Sequence, residues 1–166
     1  HERRVLGLAR RLLAQPQDAE DAAQEAFLRL YRALARLDPE RPVLPYLYRI
    51  TVNVCRDLGR RRPKPALPLD EVDAGHEPAA PGADPAEASR LAEERRIAAA
   101  ALRALPEKQR AALVLRDVQG LTTREVAEVL GTSEVTVRTQ ISRARLKVNE
   151  FRERVLSSRG GRKETS

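Results

Sequence analysis

Arg138, Thr139, Ser142 and Arg143 are residue types that read DNA, and their spacing fits one helical face. Arginine grips phosphate or pairs bidentately with guanine, and short hydroxyls near a helix N-terminus reach base edges in a major groove. Lys147 extends that basic face, Ser133 and Thr136 lie at its start, and Arg124 precedes it at a position suited to a phosphate contact. A second set contains Tyr46, Tyr48, Arg49, Asn53, Arg56 and Asp57, followed by Arg60, Arg61, Arg62 and Lys64. Rings for unstacked bases, an amide for a base edge and cations for phosphates make a nucleic-acid surface. The arginine run has a plainer reading as a solvated helix end, where cations suit the dipole. A third set, Asp18, Glu20, Asp21, Gln24 and Glu25, is an acidic patch in a basic chain. Favourable charge at a helix N-terminus accounts for Asp18 and Asp21, and less well for Gln24 and Glu25.

No comparable set supports catalysis. Glu20 with Asp21, and Glu93 with Glu94, are adjacent in sequence and point to different sides of a helix. The sequence has no Gly-rich phosphate loop, nucleophile motif or metal-ligand spacing; His1 and His76 lie far apart. No enzymatic activity, metal or cofactor is expected. The single cysteine, Cys55, excludes an internal disulfide and reads as a small apolar filler rather than a redox sensor.

The elements that must carry these sets are helices. Residues 121–148, LTTREVAEVLGTSEVTVRTQISRARLKV, predict a helix-turn-helix. Thr122 with Glu125 forms a capping box, Gly131 makes the turn, and Ser133 caps the second helix. Val126, Ala127 and Leu130 face inward from the first helix; Val137, Ile141, Ala144 and Val148 do so from the second. Upstream, a first helix over 1–14 opens inside its own apolar pattern, so its start is expected to be missing. A second helix capped by Asp18, with Asp21 as the capping-box acid, runs to about Leu37. A proline-stiffened loop presents Asp38, Glu40 and Arg41, and a third helix spans roughly 46–61 with Leu47, Ile50, Val54 and Leu58 inward.

Residues 63–83 are rich in Pro and Ala without periodicity and read as a flexible linker. Helix resumes behind Asp84 and Pro85 to about Ala104, and Pro106 opens another helix. The last helix frays near Leu156, leaving a disordered tail at 157–166. The fold class is therefore all-α: two small helical domains, 1–62 and 84–156, joined by the linker and expected to move independently.

Composition agrees. The 166 residues carry 31 Lys plus Arg against 24 Asp plus Glu, a formal charge of +7 that favours a polyanionic partner. Aromatics are 3% and Trp and Met are absent, so the cores must be aliphatic. No apolar run reaches membrane-spanning length and no signal peptide is visible, so a cytoplasmic location is expected.

The stretches DAEDAAQEAFLRLYRAL, LDPERP and PYLYRITVNVCRDLGRRR resemble the second conserved region of bacterial RNA polymerase sigma factors, closest to the extracytoplasmic-function (ECF) group. LRALPEKQRAALVLRDVQGLTTREVAEVLGTSEVTVRTQISRARLKV is similar to their fourth region. The resemblance implies that Asp18, Asp21, Gln24, Glu25 and Arg29 dock on the clamp helices of the largest subunit of core RNA polymerase. It implies that the loop with Asp38, Glu40 and Arg41, and the helix with Tyr48, Arg49, Asn53 and Asp57, read and melt the proximal promoter element. Arg56, Arg60, Arg61 and Arg62 would track phosphates, and a flipped base would be captured under the loop. Arg124, Ser133, Thr136, Arg138, Thr139, Ser142, Arg143 and Lys147 would serve the distal element, with the polymerase flap as the fourth region's partner. The linker would thread toward the RNA exit path, and an anti-sigma protein is a further implied partner. Two positions depart from the pattern: Tyr46 stands where Trp is frequent, and Ser142 where a bulkier residue is frequent. The alternative from the residues alone is a dimeric helix-turn-helix regulator of duplex DNA.

Overall fold

The computed structural model describes residues 1–61 and 81–161. Arg62, the linker assignment over 63–80 and the tail from 162 onward lie outside the described residues. Among the described residues there are seven α-helices and no strand.

The first three helices form one unit. Helix α1 (Glu2–Leu12) buries Val5, Leu8 and Ala9. Helix α2 (Pro16–Ala33) begins with Pro16 in its first turn, ahead of the cap expected at Asp18. Proline's fixed φ and missing N–H suit that position. Asp18 consequently lies inside the first turn and is buried, and the expected capping box with Asp21 does not form. Ala19, Ala22, Ala23 and Ala26 are the buried face of α2, and these small residues let its backbone approach α1 and α3. The helix gives way to a 3-10 turn, Leu34–Arg36, before the expected end at Leu37. Helix α3 (Val43–Arg61) starts earlier than its periodicity suggested and turns Leu47, Ile50, Val54 and Cys55 into the unit's core.

Helices α4 to α7 form the second unit. Asp84 caps α4 (Pro85–Ala104) by accepting from the Ala86 N–H at 3.2 Å. Helix α5 (Glu107–Leu113) runs on into a π-helical turn, Val114–Val118. Gly120, with φ of +77°, then redirects the chain into α6 (Thr123–Leu130). The capping box of α6 is complete: Glu125 N–H donates to the Thr122 hydroxyl at 3.2 Å, and Thr122 N–H to the Glu125 carboxylate at 2.7 Å. Gly131 closes α6 at φ of +64°, a left-handed conformation that favours glycine. Helix α7 (Glu134–Gly160) buries Val137, Ile141 and Ala144. It continues past the expected end at Leu156: Phe151 and Val155 stay partly buried, and Arg159 pairs with Glu93 of α4. A continued apolar stripe and a neighbouring helix to lie on extend it beyond what local sequence indicated.

The two units do not stand apart as expected. Leu8 of α1 and Tyr48 and Val52 of α3 are buried in the same core cluster as Val114, Leu115, Val126 and Val137. Leu44, Tyr48 and Val52 recur every four residues and make a second apolar stripe on α3, which the three-helix unit leaves uncovered. Fully burying an aliphatic side chain such as Val52 favours packing by roughly 1.5–3 kcal/mol. Arg110, itself buried, ties the units further by donating to the Leu12 carbonyl at 2.9 Å.

Candidate nucleic-acid interface

The outward face of α7 carries the distal set. Arg138, Thr139, Ser142, Arg143 and Lys147 are all exposed, while the opposite stripe is buried in the core. The capping residues divide their duties. Thr136 N–H donates to the Ser133 hydroxyl at 3.1 Å, and the two hydroxyls lie 2.8 Å apart, so this pair chiefly fixes where α7 begins. Arg138 is held toward Glu134 at 3.0 Å, and Arg124 toward Glu128 at 3.4 Å. Thr139 donates to the Val135 carbonyl at 3.1 Å. Ser142 and Arg143, a turn further on, are unobstructed side chains of the kind a groove contact needs.

The acidic set lies on α2. Asp21, Gln24 and Arg29 are exposed and Glu25 is partly so, whereas Asp18 is turned inward. Gln17 donates to Asp21 at 3.2 Å, and Arg29 to Glu25 at 2.7 Å. A shallow groove between α2 and α3 brings Asp21, Gln24, Glu25 and Arg29 together with Asp57 and Arg61. Two residues placed by sequence with the proximal set thus border the acidic face.

The proximal set divides between two faces of α3. Arg49, Asn53, Asp57, Arg60 and Arg61 are exposed. Tyr48 and Arg56 face the second unit instead. Tyr48 is 1% exposed, and its hydroxyl donates to Gln119 at 2.9 Å. Burial pushes the Tyr48 hydroxyl above its ordinary range, with Arg4 opposing that shift, so the group remains a neutral donor near pH 7. Arg56 donates to Glu107 at 2.6 Å. The loop before α3 is organised by Asp38, whose carboxylate accepts from Glu40 N–H at 3.0 Å and faces Arg41 at 3.7 Å.

Sequence reading missed Glu107 and Gln119, which hold α3, and Asp117, which holds α7. The signal that could have found two of them is the Leu44, Tyr48, Val52 stripe, because a second apolar face on a helix demands a second partner. Among the described residues no cluster of three or more metal-ligating side chains occurs, and no helix is long and apolar enough to cross a membrane.

The sigma-70 region 2 profile matches residues 1–64, and the sigma-70 region 4 profile matches residues 95–148. The chain is 36% identical over 149 residues to the ECF RNA polymerase sigma factor SigM of Mycobacterium tuberculosis H37Rv, covering 89% of this chain and 71% of that one. The chain belongs to the ECF sigma factors. It is also 36% identical over 157 residues to the ECF sigma factor SigE of Mycolicibacterium smegmatis, and spans 58% of that protein's length. Among solved structures, CnrH in complex with the cytosolic domain of CnrY matches with a TM-score of 0.65 at 30% identity, over 90% of this chain and 80% of that one. In this ECF sigma factor the region 4 match contains the whole helix-turn-helix, and the region 2 match contains both the acidic face and α3.

Proposed function

We propose that this chain binds core RNA polymerase, reads a proximal promoter element with α3 and a distal element with α7, and promotes opening of the duplex. Residues 1–62 are the polymerase-docking and melting domain, 63–83 the linker, and 84 through the end of α7 at Gly160 the distal reader. One observation carries the reading. An exposed acidic face on α2 and an exposed basic recognition face on α7 lie in separate helical units of one chain, in the order of the family's two regions.

The mechanism is binding rather than catalysis by this chain. Asp21, Gln24, Glu25 and Arg29 supply the polymerase contact, with Asp18 buried in the first turn of the same helix. Arg49, Asn53 and Asp57 face the unpaired strand, with Arg60, Arg61 and Arg62 on its phosphates, while Arg138, Thr139, Ser142 and Arg143 hold the duplex. A melted strand that binds better than the closed duplex shifts the population toward the open state, and differential affinity is the whole driving force. The chain works in the cytoplasm, where promoter and polymerase are. An anti-sigma protein is its expected regulator.

Run-off transcription from candidate promoters of the source genome, with and without core polymerase, tests the proposal. Transcripts that need both chain and polymerase are expected. Tight, specific duplex binding by the chain alone, with no transcript on adding polymerase, would show a conventional regulator instead.

A further inference from the structure

Two large apolar side chains on the outward side of α7, Val135 and Leu146, are 69% and 61% exposed. At 3.6 residues per turn, Val135, Thr139, Ser142 and Leu146 follow one line along the helix, opposite the buried stripe of Val137, Ile141 and Ala144. Arg138 and Arg143 lie on either side of that line. The outermost edge of the recognition face is therefore uncharged, and cations flank it. A single exposed valine is ordinary on a protein surface. The neighbours of Val135 make this one informative. Ser133 and Thr136 are bonded to each other, Arg138 is held by Glu134 at 3.0 Å, and the Thr139 hydroxyl donates to the Val135 carbonyl at 3.1 Å. These hydrogen-bonding side chains around Val135 are thus engaged within α7 itself. With its hydroxyl turned onto the backbone, Thr139 has its methyl group left for an outside contact.

We infer that Val135, with the Thr139 methyl one turn on, reads the 5-methyl group of a thymine in the distal promoter element. The inference rests on the proposed role of α7 as the distal reader and names what its N-terminal end recognises. The second helix of a helix-turn-helix contacts base edges through its N-terminal residues, and Val135 is the second residue of α7. In the major groove thymine alone of the four bases presents a methyl group, so an apolar side chain distinguishes it from cytosine without a hydrogen bond. The valine and thymine methyls leave water together on docking, while Arg138 and Arg143 reach phosphates or base edges to either side. Leu146 lies about 16 Å further along the helix axis, beyond the end that enters the groove.

The experiment uses the full chain with core polymerase on a promoter that yields run-off transcripts. Each thymine of the distal element is replaced singly by deoxyuridine, which lacks only the methyl group. Affinity is read by competition with the unmodified duplex, for the wild type, Val135→Ala, Thr139→Val and Leu146→Ala. At one position deoxyuridine should weaken wild-type binding by about three- to fourfold, the factor that one buried methyl group carries. The same ratio is expected at low and high salt, because an apolar contact releases no counterion. Val135→Ala should lose most of the difference. Thr139→Val keeps the methyl and removes the hydroxyl, and Leu146→Ala removes a similarly exposed apolar group elsewhere, so both should retain it. A distal element with no methyl-sensitive thymine, or a difference that persists in Val135→Ala or vanishes in Leu146→Ala, would overturn the inference. Its loss in Thr139→Val would overturn it too, by giving the reading to the hydroxyl. Failure of the initiation reading shows separately, as the absence of run-off transcripts from every unmodified template, and would take this inference with it.

Discussion

Arg145 of α7 donates to both carboxylate oxygens of Asp117, at 2.9 and 2.6 Å, across 28 residues of sequence. Asp117 lies in the π-helical turn after α5, so this fork fixes the recognition helix against the preceding element. Donating these hydrogen bonds to the Asp117 carboxylate raises the Arg145 pKa and keeps it charged. Arg145 is therefore a positioning residue; it is exposed like Arg143 but, two residues along α7, points to a different side of the helix.

The two arginines should separate cleanly under mutation. Arg143→Ala is expected to weaken distal-element binding by about 1–3 kcal/mol if it pairs with guanine, or to reduce the salt slope by about 1 if it meets phosphate. Arg145→Ala should lower stability in urea by about 1 kcal/mol or less, because both partners of its ion pair are substantially solvated. Fluorescence anisotropy against salt, beside urea unfolding, distinguishes them. Equal losses of stability from both variants would contradict the division.

The acidic face should give the reverse pattern. Asp21→Ala with Gln24→Ala is expected to weaken association with core polymerase while distal-element binding persists. Surface-capture binding to immobilised core polymerase measures the first, and anisotropy the second. Unchanged polymerase association would remove α2 from the docking surface.

Much of this architecture was legible locally. Thr122, Glu125, Gly131 and Ser133 announce the helix-turn-helix because caps and turns are decided by a few neighbouring residues, and the structure places all four in those roles. Asp18 misled because a proline two residues earlier competes for the same helix start. Tyr48, Val52 and Arg56 were legible as one face of a helix, but not as buried, since their partners lie 51 to 71 residues away. Pairings at that separation depend on how whole units meet, which periodicity does not encode. The end of α7 was missed for a similar reason: the support of its last turns includes Glu93 on α4.

Buried Arg110 should be among the most sensitive positions. It donates to the carbonyls of Leu102, Arg103, Leu105 and Leu12, and burial lowers its pKa while Glu107 opposes that. Arg110→Ala leaves those carbonyls without their donor, and Arg110→Lys cannot reproduce the planar fork. Losses of about 3 kcal/mol or more for Ala, and somewhat less for Lys, are expected in urea unfolding. A change within 0.5 kcal/mol, roughly the range of ordinary surface substitutions, would refute the role.

The capping box carries a pH signature. Hydrogen bonds from the Thr122 backbone, and then from its side chain, hold the Glu125 carboxyl below its ordinary value. A folded pKa below the unfolded one contributes stability above the unfolded pKa, and that stability is lost as pH falls through the folded pKa. Unfolding curves from pH 7 down through the acid carboxylate range should show this loss. Glu125→Gln should flatten it, and Thr122→Ala should cost about 1 kcal/mol at pH 7. An unaltered slope in the Gln variant would assign the acid sensitivity elsewhere.

The most direct measurement is permanganate reactivity of thymines across a candidate promoter, with the chain and core polymerase added singly and together. The account predicts reactive, unstacked thymines at the proximal element only when both are present, and loss of that signal on Asn53→Ala. A duplex that stays unreactive with both present, while the chain alone protects its promoter, would contradict it.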